Sequence, residues 1–207
     1  MDSFTGSIRK MVAEQIAGRN ICDPRVQGAM RTVPRHEFVP LEYQNRAYSD
    51  EPLPIGFHQT ISQPYMVALM CSLAQIKPQH RILDIGTGSG YQAAILSLLA
   101  SFVYSIERIP ALANRARKTL DHLGYKNISV RIGDGVSGWI DEAPFNAILV
   151  AAAAKEIPSA LSSQLADGGR LIIPVGTNGQ QLTVVENNKG QISEEVIMPV
   201  RFVPLVC

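Results

Sequence analysis

The residues with the clearest chemical meaning are Asp84-Ile85-Gly86-Thr87-Gly88-Ser89-Gly90, three glycines at alternate positions directly after an apolar run. Glycine adopts positive φ without steric cost and lets a ligand approach the main chain closely. At a strand-to-helix turn this pattern holds a nucleoside cofactor in NAD, FAD and methyl-donor enzymes alike. A tight turn without a ligand is the plainer alternative. Charge separates the cofactors further. Asp84, Glu107 and Asp134 fall at the ends of three consecutive expected strands, and no Lys or Arg lies between Asp84 and Gly90. A dinucleotide would bring a pyrophosphate dianion against Asp84. S-adenosylmethionine brings a sulfonium and an ammonium instead, and carboxylates near these cations are favourable in a partly desolvated cleft. Glu107 can accept hydrogen bonds from ribose hydroxyls, and Asp134, beside Gly135, can accept one from an adenine amino group. The expected cofactor-binding set is therefore Asp84, Gly86, Thr87, Gly88, Ser89, Gly90, Glu107, Arg108, Asp134 and Gly135. The histidines His36, His58, His80 and His122 form no pair at metal-ligand spacing, so no metal is expected.

The elements that must position these residues follow from periodicity. Ile8, Met11, Val12 and Ile16 share a helical face. Asp23-Pro24 reads as an N-cap with a first-turn proline. Residues 34–64 carry so many prolines and turn residues that irregular structure is expected there. Pro64 opens an apolar helix to Leu73. Strands are expected over Arg81–Ile85, Phe102–Glu107, Ile128–Ile132, Asn146–Val150 and Arg170–Val175. The helices Gly90–Ala100, Pro110–Leu123 and Pro158–Leu165 alternate with them, the last closed by Asp167-Gly168-Gly169. Gln181–Glu186 and Ile192–Val200 read as a hairpin around Asn187-Asn188-Lys189-Gly190. Repeated βα units demand a parallel sheet with helices on both faces. The expected fold is α/β: a doubly wound, mostly parallel seven-stranded Rossmann-like methyltransferase sheet. It carries a C-terminal antiparallel pair and an N-terminal helical extension. One domain spans 1–207, with 1–63 as extension and substrate-side segment and 64–207 as cofactor-binding core.

Composition narrows the partners. A net charge of +1 on 207 residues gives no broad surface for nucleic acid. The longest apolar stretch, Ala93 to Val103, is interrupted by Ser97 and Ser101. It is shorter than the ~20 residues of a membrane helix. The N-terminal ten residues lack a signal-peptide apolar run. Cys22, Cys71 and Cys207 are scattered and form no CxxC pair, which suits reduced thiols in the cytoplasm. The chain is expected to be monomeric.

Methyl transfer from a sulfonium is an in-line displacement in which the enzyme mainly positions two reactants. The Asn/Asp-Pro-Pro-Tyr motif of amino-methylating DNA enzymes is not found. A carboxylate acceptor needs no base, because it is ionised at neutral pH. Several stretches then become specific together: Gln59-Thr60-Ile61-Ser62-Gln63-Pro64, Leu83 to Ala94, Ser105-Ile106-Glu107-Arg108 and Gly133-Asp134-Gly135. Gly168-Gly169-Arg170-Leu171, Ile173-Pro174-Val175-Gly176 and Val200 to Leu205 complete the series. In this order the chain resembles the protein-L-isoaspartate O-methyltransferases from about Arg35 to Leu205. The Thr60–Pro64 segment marks that family, whereas the glycine loop marks only its superfamily.

The resemblance implies a repair enzyme that methylates the α-carboxylate of isoaspartyl residues in proteins and peptides and releases S-adenosyl-L-homocysteine. The ester then closes to a succinimide, which reopens partly to normal aspartate. The resemblance makes Ser62 the active-site residue, with Gln59, Thr60 and Ile61 beside it on the substrate. Spacing alone assigns Ser62 a helix cap before Pro64. His58 stands where the family usually has Gly, Asn146 where it often has Asp, and Ala151 where it often has Thr. Trp139 reads as a core or cleft-wall residue. Arg201 is a candidate for holding the substrate carboxylate. A catalytically impaired cofactor-binding protein and a nicotinamide oxidoreductase are the competing classes.

Overall fold

The computed structural model describes residues 4–206. Of the three thiols, Cys22 and Cys71 are free, and Cys207 lies outside the described residues. Among the described residues no helix is long and apolar enough to cross a membrane.

Five parallel strands form most of the sheet: β3 (Arg81–Ile85), β4 (Phe102–Glu107), β5 (Ile128–Ile132), β6 (Phe145–Val150) and β7 (Leu165–Val175). Strands β8 (Gln180–Asn188) and β9 (Gln191–Val200) add an antiparallel pair, giving the order β5-β4-β3-β6-β7-β8-β9. The β8–β9 turn places Lys189 and Gly190 at φ 53° and 85°, the two left-handed residues of a tight hairpin. From β3 the chain builds outward to β4 and β5, then crosses back to β6 on the other side of β3. The crevice where strand order reverses therefore opens at the carboxyl ends of β3 and β6. Residues Ala147 to Val150 of β6 are fully buried, as a parallel strand covered on both faces requires.

The helices α3 (Pro64–Leu73), α4 (Tyr91–Ser97) and α5 (Pro110–His122) pack on this sheet. The helical extension runs as α1 (Thr5–Lys10), a wider turn over Met11–Ile16 and a 3-10 turn over Ala17–Arg19. It buries Met11, Val12 and Ile16, three of the four residues of the expected face. Helix α2 (Pro24–Thr32) starts as expected: the Asp23 carboxylate accepts from Arg25 N at 2.8 Å. Side chains of the extension and of the sheet share one apolar cluster, from Met11 and Met30 to Leu149 and Ile172.

Three expectations are corrected. Residues 34–64 are more regular than their prolines suggest. They form 3-10 turns at Arg35–Phe38 and Leu41–Arg46 and a hairpin of β1 (Leu53–Gly56) with β2 (Gln59–Ile61). Phe57 and His58 form its tip at φ 54° and 56°, so His58 occupies a backbone conformation that favours glycine. Helix α4 stops at Ser97, because Leu98 N and Leu99 N bond to carbonyls three residues back and tighten the last turn. The helix expected over 158–165 is only α6 (Ser159–Ser162), and β7 begins at Leu165 with Asp167 to Gly169 inside it. The register against β6 jumps from Phe145↔Leu165 to Ala147↔Arg170. A Cβ on Gly169 would lie 2.8 Å from Ala166 O, so glycine permits that bulge.

Candidate active site

The loop after β3 needs each of its glycines for a different reason. Gly86, Gly88 and Gly90 have φ of 91°, 53° and 92°. A Cβ on Gly86 would meet Ala151 Cβ at 3.4 Å across the crevice, and one on Gly88 would meet Ile55 of the β1 strand at 3.3 Å. One on Gly90 would press Ala116 and Leu120 of α5 at 3.4 Å. The loop therefore lies within van der Waals reach of the sheet, the hairpin and a helix at once. Gly135 is tighter still: a Cβ there would lie 2.3 Å from Ile85 Cγ2.

Three cavities meet around this loop. One of about 120 Å³ runs over Gly86, Gly88, Glu107, Arg108 and Gly135 to Leu205. A second, of about 490 Å³, lies between Ser62 and Tyr65 on one side and Met198 to Val203 on the other, with Arg19 and Arg201 on its wall. A cleft of about 30 Å³ lies between them, lined by Ser62, Thr87, Ser89 and Tyr91. Thr60 and Ala151 line all three. Gln59 borders the first cavity, and Ile61 borders the small cleft while its residue is buried in the core.

The three carboxylates behave differently. Glu107 faces the first cavity, and its two oxygens accept from Gly88 N at 2.8 Å and Ile109 N at 2.9 Å. Each oxygen keeps a second lone pair for a ligand hydroxyl. Asp134 lines none of the three cavities; its Oδ1 accepts from Val136 N at 2.9 Å, shaping the turn that presents Gly135. Asp84 lines none of the three cavities. It is fully buried beneath the loop, accepting from Gln92 Nε2 at 2.8 Å and Ser105 Oγ at 2.7 Å. Thr87 Oγ1 extends the chain to Ser105 Oγ at 2.5 Å. Asp84 thus lies beneath the loop rather than on a cavity wall, and its oxygens anchor α4 and β4.

Burial raises the Asp84 carboxyl to about 6, against the pull of its Ser105 and Gln92 hydrogen bonds and with a further push from Glu107. A raised folded-state value means that the neutral form stabilises the fold. Its contribution is fully present below about pH 4 and lost as pH rises through about 6. Relative to Asp84→Asn, the parent chain should gain stability as pH falls from about 7 to 4. Denaturant unfolding of both proteins across that range checks it. A parallel pair of stability curves would contradict the assignment.

Ser62 sits where the large cavity meets the glycine loop. Its hydroxyl makes no hydrogen bond among the described residues, and no side chain of the N-terminal flank caps α3. The expected capping role belongs to Asp50 instead. Asp50 Oδ1 accepts from Tyr65 N at 3.1 Å, and Oδ2 accepts from Gln63 Nε2 at 3.3 Å and Arg19 Nη1 at 2.8 Å. Ser62 is thus left free to face a ligand.

The two departures from the family pattern in and after β6 take different places. Asn146 lies at the start of β6, on the rim opposite the loop, where its Oδ1 accepts from Arg81 N at 2.9 Å. Ala151 stands at the junction of all three cavities. Trp139 packs edge-on against Tyr104, under the Arg131 guanidinium at 4.1 Å, and lines none of the three cavities. His58 is likewise outside them, at the hairpin tip. Arg19, whose guanidinium lies 3.2 Å from the centroid of the Tyr65 ring, was missed by sequence reasoning, since it follows no motif.

A family model described as protein-L-isoaspartate(D-aspartate) O-methyltransferase matches residues 7–207. A Polaromonas protein named protein-L-isoaspartate O-methyltransferase 2 is 52% identical over 208 residues, covering 99% of this chain and 98% of its own. A Methanoregula boonei protein-L-isoaspartate O-methyltransferase is 54% identical over 199 residues, covering 96% of this chain and 92% of its own. A Plasmodium falciparum crystal structure, titled as a putative enzyme of this kind in complex with S-adenosyl-L-homocysteine, is 26% identical. It superposes with a TM-score of 0.84 over 100% of this chain and 99% of that one. A glycine loop closed on three sides, a free hydroxyl at its edge and a match of this extent agree: the chain belongs to the protein-L-isoaspartate (D-aspartate) O-methyltransferase family.

Proposed function

We propose that this chain transfers a methyl group from S-adenosyl-L-methionine to the α-carboxylate of L-isoaspartyl residues in damaged proteins and peptides. S-adenosyl-L-methionine supplies the electrophilic methyl group and leaves as S-adenosyl-L-homocysteine. The observation that carries the reading is the junction of two cavities at Thr60 and Ala151, with Ser62 on the larger cavity and on the small cleft beside it. On one side are glycines and the Glu107 carboxylate, suited to a cationic nucleoside. On the other are Arg19 and Arg201, suited to an anionic acceptor.

The chain's own groups have simple tasks. Gly86, Thr87, Gly88, Ser89 and Gly90 present the main chain closely, and Glu107 holds ribose hydroxyls with Arg108 beside it. Gly135 would border the adenine end, on the turn that Asp134 shapes. The Ser62 hydroxyl would donate to one carboxylate oxygen of the acceptor and leave the other free to react. Gln59, Thr60 and Ile61 form the strand that carries Ser62 to this position. No proton is removed, because the acceptor is already an anion. Residues 1–63 supply the acceptor side and 64–207 the cofactor side of one unit. All three cavities are complete within one copy, which favours action as a monomer. The separated thiols favour the cytoplasm, and the near-neutral charge favours protein over nucleic acid as substrate.

Incubation with isotopically labelled cofactor and an isoaspartyl peptide should yield label that leaves as methanol on mild base treatment. Base-stable label would place the methyl group on nitrogen or carbon and overturn the carboxylate assignment.

A further inference from the structure

Arg35 is fully buried, yet it forms no ion pair among the described residues. Its Nε donates to Ala47 O and its Nη2 to Ser62 O, both at 2.7 Å, and Nη1 has no partner. The guanidinium carbon lies 4.7 Å from the centroid of the Tyr91 ring. Burial lowers its pKa, countered chiefly by Tyr91. A buried cation costs stability to desolvate, and here no carboxylate among the described residues lies within ion-pair distance to offset it; Asp50 acts on it only from further away. Stability is therefore a poor account of this side chain. Its contacts suggest a better one. Ser62 and Tyr91 both line the small cleft between the two cavities, one from the acceptor side and one from the start of α4. The planar fork of Arg35 spans Ser62 O and Ala47 O while its face rests near Tyr91. Asp50 fixes the chain after Ser62 at Gln63 and Tyr65. Arg35 fixes Ser62 itself.

We infer that Arg35 is a positioning residue: by holding the Ser62 carbonyl from a guanidinium that rests near the Tyr91 ring, it sets the direction of the Ser62 hydroxyl toward the acceptor carboxylate. The inference rests on the acceptor-side role given to Ser62. A methionine at 35 would keep the volume and lose the fork. Misplacement by an ångström can cost about 100-fold in rate, so a few tenths of an ångström should cost about tenfold. Arg35→Met should lower kcat about tenfold, with the Kd for S-adenosyl-L-homocysteine changed less than twofold. Arg35→Lys, which can reach only one of the two carbonyls, should fall between.

The decisive experiment is a double-mutant cycle with Ser62→Ala. In that background Arg35→Met should lower kcat less than twofold further, since there is no hydroxyl left to aim. A full tenfold drop in both backgrounds would overturn the inference. Hydrogen exchange gives a reading independent of turnover. Amides of residues 59–63 should exchange faster in Arg35→Met while those of 86–90 do not change, and unchanged exchange over 59–63 would also overturn it. If Arg35→Met does not fold, Arg35→Lys carries both measurements. Failure of the parent chain to methylate isoaspartyl peptide would sink the substrate reading, while the exchange result would still decide the link from Arg35 to Ser62.

Discussion

Replacing Ser62 with Ala should lower kcat on an isoaspartyl peptide by roughly 10–100-fold, the worth of one hydrogen bond to a charged group at about 1.5–3 kcal/mol. The size follows from what the hydroxyl does not do. It caps no helix and makes no hydrogen bond among the described residues, so its loss leaves no buried partner unsatisfied. Helix α3 keeps its cap from Asp50, and the Ser62 carbonyl keeps its Arg35 partner. The melting temperature and the affinity for S-adenosyl-L-homocysteine should therefore stay close to those of the parent chain. Steady-state kinetics beside a thermal melt and a binding titration separate these effects. Unchanged turnover would remove Ser62 from the reaction.

Replacing Glu107 with Ala should weaken S-adenosyl-L-homocysteine binding by about 100-fold or more. The ribose role proposed for Glu107 implies the loss of two charge-assisted hydrogen bonds, at about 1.5–3 kcal/mol each. The loop also loses support, because Glu107 holds both Gly88 N and Ile109 N. Glu107→Gln keeps the shape but not the charge and should cost about tenfold. Calorimetric titration of the three proteins reads the series. An alanine variant within threefold of the parent would contradict the ribose assignment.

The glycine loop was legible because its demand is local: positive φ and close approach are written in residue type alone. The βα rhythm was legible for the same reason, through apolar periodicity and turn residues. Asp84 was harder. Its place at the end of β3 is readable, but whether its carboxylate faces the cleft or the core depends on Gln92 and Ser105, one on a helix and one on a neighbouring strand. The rim on which Asn146 lies was not legible from its departure from the family pattern, since only strand polarity separates the start of β6 from its end at Val150. Spacing alone made Ser62 a cap because sequence shows the nearest hydroxyl, whereas the carboxylate that serves α3 comes from Asp50. Arg19 and Arg35 left no sequence signal, because their roles exist only through contacts to distant segments. The acceptor itself was legible only through resemblance in Thr60 to Pro64; no spacing of charges names an isoaspartate.

The central claim is that the acceptor is the isoaspartyl α-carboxylate. It is tested most directly with two peptides of one sequence, one carrying aspartate and the other isoaspartate at a single position, each incubated with labelled S-adenosyl-L-methionine. Transfer to the isoaspartyl peptide, with none above background to its aspartyl twin, is the predicted result. Equal transfer to both, or transfer to neither, would contradict it.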